Sequence, residues 1–357
     1  MSRYFSPRFA ALEPYTPGEQ PQSLERYVKL NTNECPFPPS EKARAYAEAH
    51  TRPLNLYPDP DCRALRVKLA ETLEIAPEEL MLCNGSDEAL AFAFLAFCDG
   101  KTAAAFPEIT YGFYPVFAAL CSVEYQEVPL RADFSVAPED YFGLGRTIFI
   151  ANPNAPTGKL LSVAEIETIL QRNPDNVVVI DEAYIDFGGT SCIPLIRSYE
   201  NLLVTQTFSK SRAMAGGRLG FAVGCPALIA DLNAIRCSFN PYNVNSLTTA
   251  AAMGTLLDPD YTRRCCETVM ENRTYTAAEL KRRGFHVLES AANFLFAAAP
   301  DYDGGALYRA LKEKGVLVRH FDKPAIAQYN RISIGTREQM DALLRALDEI
   351  LQEAGQG

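Results

Sequence analysis

The chain has 357 residues, enough for one large domain and a smaller one, with the 48% hydrophobic and 22% charged residues of an ordinary globular protein. A formal charge of −10 without a Lys/Arg run excludes a nucleic-acid footprint, which needs clustered cations to meet phosphates. No apolar stretch reads as a signal peptide or a bilayer span, so no membrane partner and a cytoplasmic location are expected.

The Pro-rich opening has little helical period and predicts an arm over residues 1–30, packed on the small domain or on a partner. Candidate strands then follow: LMLCN (80–84), TAAAF (102–106), VEYQEV (123–128), RTIFIAN (146–152), NVVVID (176–181), NLLVTQT (201–207) and LGFAVG (219–224). Helical patterns lie between several of them. The run from Ser162 opens with a capping box to Glu165 and carries Val163, Ile166, Ile169 and Leu170 on one face. Runs such as VVVI and TIFI are apolar on both faces, as strands buried on both sides of a mostly parallel sheet must be. The fold class is therefore α/β, with helices flanking the sheet of a large domain over residues 31–245. From residue 246 the pattern turns helical, with a break near LDPD, and then mixes short strands with helices. A smaller α+β domain over 246–357 is expected, closed by a helix with Leu343, Leu344, Leu347, Ile350 and Leu351 on its apolar stripe. The ten cysteines are scattered without a C-x-x-C and read as free thiols, and none of the three histidines makes a metal-binding pair.

One lysine stands out. Lys210 follows the apolar strand NLLVTQ and precedes a run of small residues. Partial desolvation there favours a neutral, nucleophilic amine of the kind that condenses with a carbonyl. Taken alone, a surface lysine past a strand end explains it as well. Its neighbours point further: Thr207, Ser209 and Arg218 offer two hydroxyls and a guanidinium fork suited to phosphate. Upstream, Gly85 and Ser86 open a helix whose free N–H groups attract an anion, although a plain N-cap also explains GSDE. An isolated lysine with two phosphate-ready elements predicts a phosphorylated aldehyde cofactor, pyridoxal 5′-phosphate. Such a ring needs a buried acid beside its nitrogen, and Asp181 directly follows four apolar strand residues. Tyr184, three residues on, is placed to reach the ring's phenolic oxygen. An Asp181 that only caps the next turn is the bland alternative.

The stretches DEAYIDF (181–187), TFSK (207–210) with AGGRLGF (215–221), and NPNAPTG (152–158) resemble the fold-type I pyridoxal-phosphate aminotransferases. KLNTNECPF (29–37), NLYPDP (55–60), TYGFY (110–114), PYNVNSL (241–247) and RISIGT (331–336) follow in the right order and resemble the histidinol-phosphate aminotransferase branch. The resemblance implies that Lys210 forms the Schiff base and shuttles the proton, Asp181 holds the ring nitrogen, Tyr184 donates to the phenolic oxygen and Tyr111 stacks on the ring. It also implies that backbone N–H groups of Ser86 and Asp87, with Thr207, Ser209 and Arg218, hold the phosphate, so that the Asp87 carboxylate points away. Tyr57 would arrive from a partner subunit, which implies a homodimer. Arg331 would grip substrate carboxylate or phosphate, with Tyr15, Asn33 and Arg319 nearby. Where the family most often has a second Asn, this chain has Ala155, so Asn152 and Asn154 become weak substitutes.

The implied reaction is transamination between L-histidinol phosphate and 2-oxoglutarate, giving imidazole-acetol phosphate and L-glutamate in histidine biosynthesis. Two other activities share the scaffold: a threonine-phosphate decarboxylase, and an aromatic or broad-specificity aminotransferase for which Tyr15, Tyr111 and Phe113 would tolerate a flat side chain. A cofactor-sensing regulator would need a DNA-binding module ahead of the fold, for which the motif at residue 31 leaves no room.

Overall fold

A computed structural model of the protein describes residues 2–9, 12–51 and 53–354. Its strands are, in chain order, β1 (Val28–Lys29), β2 (Leu80–Cys83), β3 (Ala104–Pro107), β4 (Tyr125–Val128), β5 (Thr147–Ala151), β6 (Val178–Asp181) and β7 (Leu202–Thr207). They continue with β8 (Gly220–Gly224), β9 (His286–Val287), β10 (Phe294–Ala298), β11 (Val316–Leu317), β12 (Arg319–His320) and β13 (Tyr329–Ser333). Seven of them form a sheet in the order β2-β8-β7-β6-β5-β3-β4, in which only β8 runs against its neighbours.

Strand pleating explains why these runs are apolar throughout. Ile148, Ile150, Val178, Ile180, Leu202 and Val204 enter one buried cluster, while the alternate residues Phe149, Val179 and Leu203 enter another on the opposite face. The helices that cover the two faces include α2 (Arg63–Leu73), α3 (Ser86–Phe97), α4 (Tyr114–Cys121), α5 (Val163–Arg172) and α6 (Pro226–Phe239), while α1 (Glu41–His50) packs outside them on the helix at Ser246–Leu256. Helix α5 starts at the capping box read from the sequence: Ser162 accepts from the Glu165 N–H, and the Glu165 carboxylate accepts from the Ser162 N–H at 2.7 Å.

The C-terminal part holds α7 (Ser246–Leu256), α8 (Pro259–Arg282), α9 (Gly304–Glu313) and α10 (Arg337–Ala354), with an antiparallel sheet in the order β12-β13-β10-β9. Its core joins Leu343, Leu347 and Ile350 of α10 to Phe294 and Ile332 of the sheet. Strand β1 pairs in parallel with β11, and the Leu30 carbonyl accepts from the Ser333 N–H at 2.9 Å. Residues 28–33 therefore run along the C-terminal layer, across the expected boundary between residues 30 and 31, and deliver Thr32 and Asn33 to the edge of the central sheet. Further upstream the segment touches both layers: Tyr15 stacks on Phe113 with centroids 4.2 Å apart, and Glu19 pairs with Lys312 at 2.8 Å. All ten cysteines carry free thiols. Among the described residues, no helix is long and apolar enough to cross a membrane.

Candidate active site

Sheet register gathers the polar residues. Cys83 and Thr207 flank Gly220, and Asp181 lies between Ala151 and Thr205, so the carboxyl ends of β2, β5, β6 and β7 meet the start of β8. Ligands of open α/β sheets bind at such strand ends. Gly85, at φ +80°, turns the chain from β2 into α3, a conformation that strains any residue with a Cβ. A Cβ on Gly220 would lie 2.3 Å from the Ser86 nitrogen, so glycine there lets the N-terminus of α3 sit directly against β8.

The resulting cavity is lined by Ser86, Asp87, Tyr111, Ala155, Asp181, Tyr184, Thr207, Ser209, Lys210 and Arg218, with Ala151 and Ala183. Lys210 is half-buried; its Nζ donates to the Thr32 carbonyl at 3.1 Å and lies 5.6 Å from the centre of the Tyr184 ring. Asp181 is buried, and loss of hydration, reinforced by the Asp87 charge, raises its carboxyl to about 7 despite a hydrogen bond from Thr205 Oγ1 at 3.2 Å. At the other end, Arg218 Nη1 donates to Ser209 Oγ at 3.3 Å, and Thr207 Oγ1 accepts from the Ser209 N–H at 3.0 Å.

Four expectations need correction. The Asp87 carboxylate does not point away from the phosphate-ready group: it accepts from Tyr111 Oη at 2.7 Å and from Arg218 Nη2 at 3.3 Å, because α3 starts close enough for it to span both. Asn152 and Asn154 are not on the cavity wall. The Asn152 amide is exchanged with the backbone of Leu161, and that of Asn154 with the Ile109 carbonyl, Thr110 and Thr157, so both brace their own loop. Asn33, expected beside substrate, is 1% exposed and lies behind Tyr184, whose Oη accepts from Asn33 Nδ2 at 3.0 Å.

A second cavity of about 320 Å³ adjoins the first across Tyr111 and Ala155 and is lined by Tyr15, Arg319, Phe321, Lys323 and Arg331. Arg331 donates to the Asn31 carbonyl at 3.1 Å, lies 5.5 and 5.6 Å from the rings of Phe294 and Phe321, and keeps a buried Nε with no hydrogen-bond partner among the described residues. Arg319 spends its fork on the carbonyls of Thr16 and Pro17. Tyr57 is 79% exposed, stacked on Tyr242, and lines neither cavity of its own chain.

The model of the family described as aminotransferase class I and II matches residues 25–347. The chain belongs to this family. It is 47% identical to histidinol-phosphate aminotransferase 1 of Pseudomonas fluorescens (strain Pf0-1), over 98% of this chain and all of that one. It is 46% identical to the histidinol-phosphate aminotransferase of Marinomonas sp. (strain MWYL1), over 97% of this chain and 99% of that one. Among solved structures, its fold matches that of histidinol-phosphate aminotransferase from Sinorhizobium meliloti in complex with pyridoxal-5′-phosphate at a TM-score of 0.88, with 22% identity over 99% of each chain.

Sequence reading of this aminotransferase passed over Thr205 and Phe321. Thr205 had a signal: it is the first polar residue after three apolar ones in β7, and the register of β6 and β7 sets it opposite Asp181. Phe321 had none, since only the tertiary fold brings it over Arg331.

Proposed function

We propose that the protein is a pyridoxal-phosphate-dependent transaminase that converts L-histidinol phosphate and 2-oxoglutarate into imidazole-acetol phosphate and L-glutamate. The observation that carries the cofactor assignment is Asp181: a buried carboxyl with no cation paired to it among the described residues, on the wall of the cavity that also holds Lys210. A protonated ring nitrogen supplies the missing charge. The groups at the other end fit a phosphate, with the N-terminus of α3 at Ser86 and the hydroxyl and guanidinium of Ser209 and Arg218. The near-full-length likeness to relatives named for histidinol phosphate supports the substrate.

Bound there, the cofactor supplies an electron sink for the bond broken at substrate Cα. Lys210 anchors it and then moves the proton at Cα through Nζ. Asp181 would keep the ring nitrogen protonated, Tyr184 would donate to the ring oxygen, and Tyr111 would lie against the ring. Tyr111 suits a donor role, since burial and the neighbouring Asp87 hold its phenol well above the usual range and keep it protonated. Arg331 grips the substrate anion, with Tyr15 and Arg319 around the same cavity; carboxylate and phosphate both match a guanidinium fork, so one arginine serves both half-reactions. Asp87 holds Arg218 through one carboxylate oxygen and Tyr111 through the other, so it sets the distance between phosphate grip and ring cover. The active unit is a homodimer in this reading, with Tyr57 serving the neighbouring cavity.

Titrating the purified protein with L-histidinol phosphate tests the reaction. A visible cofactor band should disappear on addition of the amino donor and return with 2-oxoglutarate. CO₂ release that needs no oxo-acid would replace the transaminase by a decarboxylase. Arg331→Ala should lower kcat/KM for both histidinol phosphate and glutamate by roughly 10- to 100-fold, the worth of a lost hydrogen bond to a charged group. Loss with only one of the two would separate their binding sites. Gly220→Ala should weaken cofactor binding by at least about tenfold, because the new methyl must displace the Ser86 N–H from its place; a fluorescence titration with pyridoxal phosphate reads this directly.

A further inference from the structure

We infer that Asn33 is a positioning residue which, set by Ser333, turns the Tyr184 hydroxyl proton towards the cofactor cavity. The inference rests on the cofactor reading above and concerns which way one hydrogen bond runs.

Asn33 is buried in the left-handed region at φ +55°, and Asn293 Nδ2 donates to its carbonyl at 2.9 Å. Its backbone N–H donates to Ser333 Oγ at 2.8 Å, and Ser333 Oγ donates in turn to Asn33 Oδ1 at 2.8 Å. An N–H can only donate, so the Ser333 oxygen is the acceptor in the first bond and its own proton goes to Oδ1. The reverse amide orientation would leave that proton unspent beside two donors in a site where Ser333 is itself buried. Nδ2 is thereby turned to Tyr184 Oη, 3.0 Å away. The phenol oxygen accepts that bond, so its proton has to point elsewhere, and Tyr184 is on the cavity wall.

The direction matters because that wall is otherwise bare. Ala155 and Ala183 line the cavity beside Tyr184 and carry no donor. Asn152 and Asn154 are occupied in their own loop. Tyr184 is then the side chain left to donate to an oxygen anion on the ring, and a donor there favours the deprotonated form and lowers the linked pKa. The relay also ties two parts of the site together: Ser333 is two residues from Arg331 on β13, and Asn33 follows Thr32, whose carbonyl accepts from Lys210.

The test is a pH titration of the visible band of the cofactor-loaded protein and of three variants: Asn33→Asp, Tyr184→Phe and the pair together. Aspartate tolerates the left-handed backbone, and its second oxygen forces the Tyr184 proton away from the cavity. The midpoint should rise by about one to two pH units in Asn33→Asp, as in Tyr184→Phe, the worth of one hydrogen bond to a charged group. The double variant should shift no further than Tyr184→Phe alone. An unchanged midpoint in Asn33→Asp would overturn the inference. So would a shift that adds in full to that of Tyr184→Phe, since it would reflect only the new charge. Ser333→Ala, which frees the amide to rotate, should raise the midpoint by a smaller amount and serves if Asn33→Asp does not fold. Failure of the unsubstituted protein to develop a visible band would overturn the cofactor reading itself, and this inference with it.

Discussion

Lys210→Met is expected to lower turnover by roughly 10²- to 10⁴-fold, with pyridoxal phosphate still bound. Methionine is unbranched and reaches as far as the lysine Cε, with sulfur in place of one methylene, so the variant removes the amine that moves the Cα proton and its place over the Tyr184 ring while disturbing little else. The phosphate end does not depend on Lys210: Ser209, Arg218 and the start of α3 are held by Thr207, Asp87 and Gly220. Cofactor affinity should therefore fall far less than rate, and the two are separable by fluorescence titration and single-turnover kinetics. A small primary amine added to the variant should restore part of the rate, because the space left by the ammonium opens onto the cavity. Retention of more than a few per cent of turnover without added amine would mean that another group carries the proton, and would remove Lys210 from the reaction.

The same residues show what could be read before the fold was seen. VVVI and TIFI were legible as strands because every side chain in them is apolar, and burial on both faces leaves few other arrangements. Asp181 was legible because it ends such a run at its carboxyl end, where a charge is expensive, and Lys210 because it stands three residues past the next strand among hydroxyl and small residues. Strand β1 was not legible: two residues have no period, and its partner β11 lies at the other end of the chain. The place of Asn33 was hidden for the same reason, since its partners Tyr184 and Ser333 are 151 and 300 residues away. Asn152 and Asn154 misled in the opposite way. Their amides satisfy backbone groups and neighbouring hydroxyls within the fold, and a one-letter reading does not distinguish a free amide from a spent one. The Asp87 carboxylate fell between these cases: its place at the start of α3 was legible, but its reach to both Tyr111 and Arg218 depends on how α3 meets the loop before α4.

Asp181→Asn is expected to lower kcat by roughly 10²- to 10⁴-fold, since removing one partner of a buried ion pair costs about 3–5 kcal/mol. The variant is isosteric and keeps the oxygen that accepts from Thr205, so the change isolates the charge. A second consequence concerns stability. Burial raises the Asp181 carboxyl to about 7, whereas an unfolded chain releases the same proton near 4. Between those values the folded state holds a proton that the unfolded state has lost, so unfolding free energy falls as pH rises through the window. Below about pH 4 the group is neutral in both states and contributes nothing; above about pH 7 its full penalty is present. The unfolding temperature of the cofactor-free protein, taken relative to Asp181→Asn, should therefore drop between pH 4 and 7. Subtracting the variant removes the contribution of neighbouring Glu182, whose pKa burial also raises. With pyridoxal phosphate bound, a protonated ring nitrogen meets the carboxylate and the penalty becomes an attraction, so the same difference should reverse sign near pH 7. A difference that stays flat with pH in the cofactor-free protein would show that Asp181 is already compensated by a group of the protein itself, and the argument that its burial calls for a cationic ring would fail.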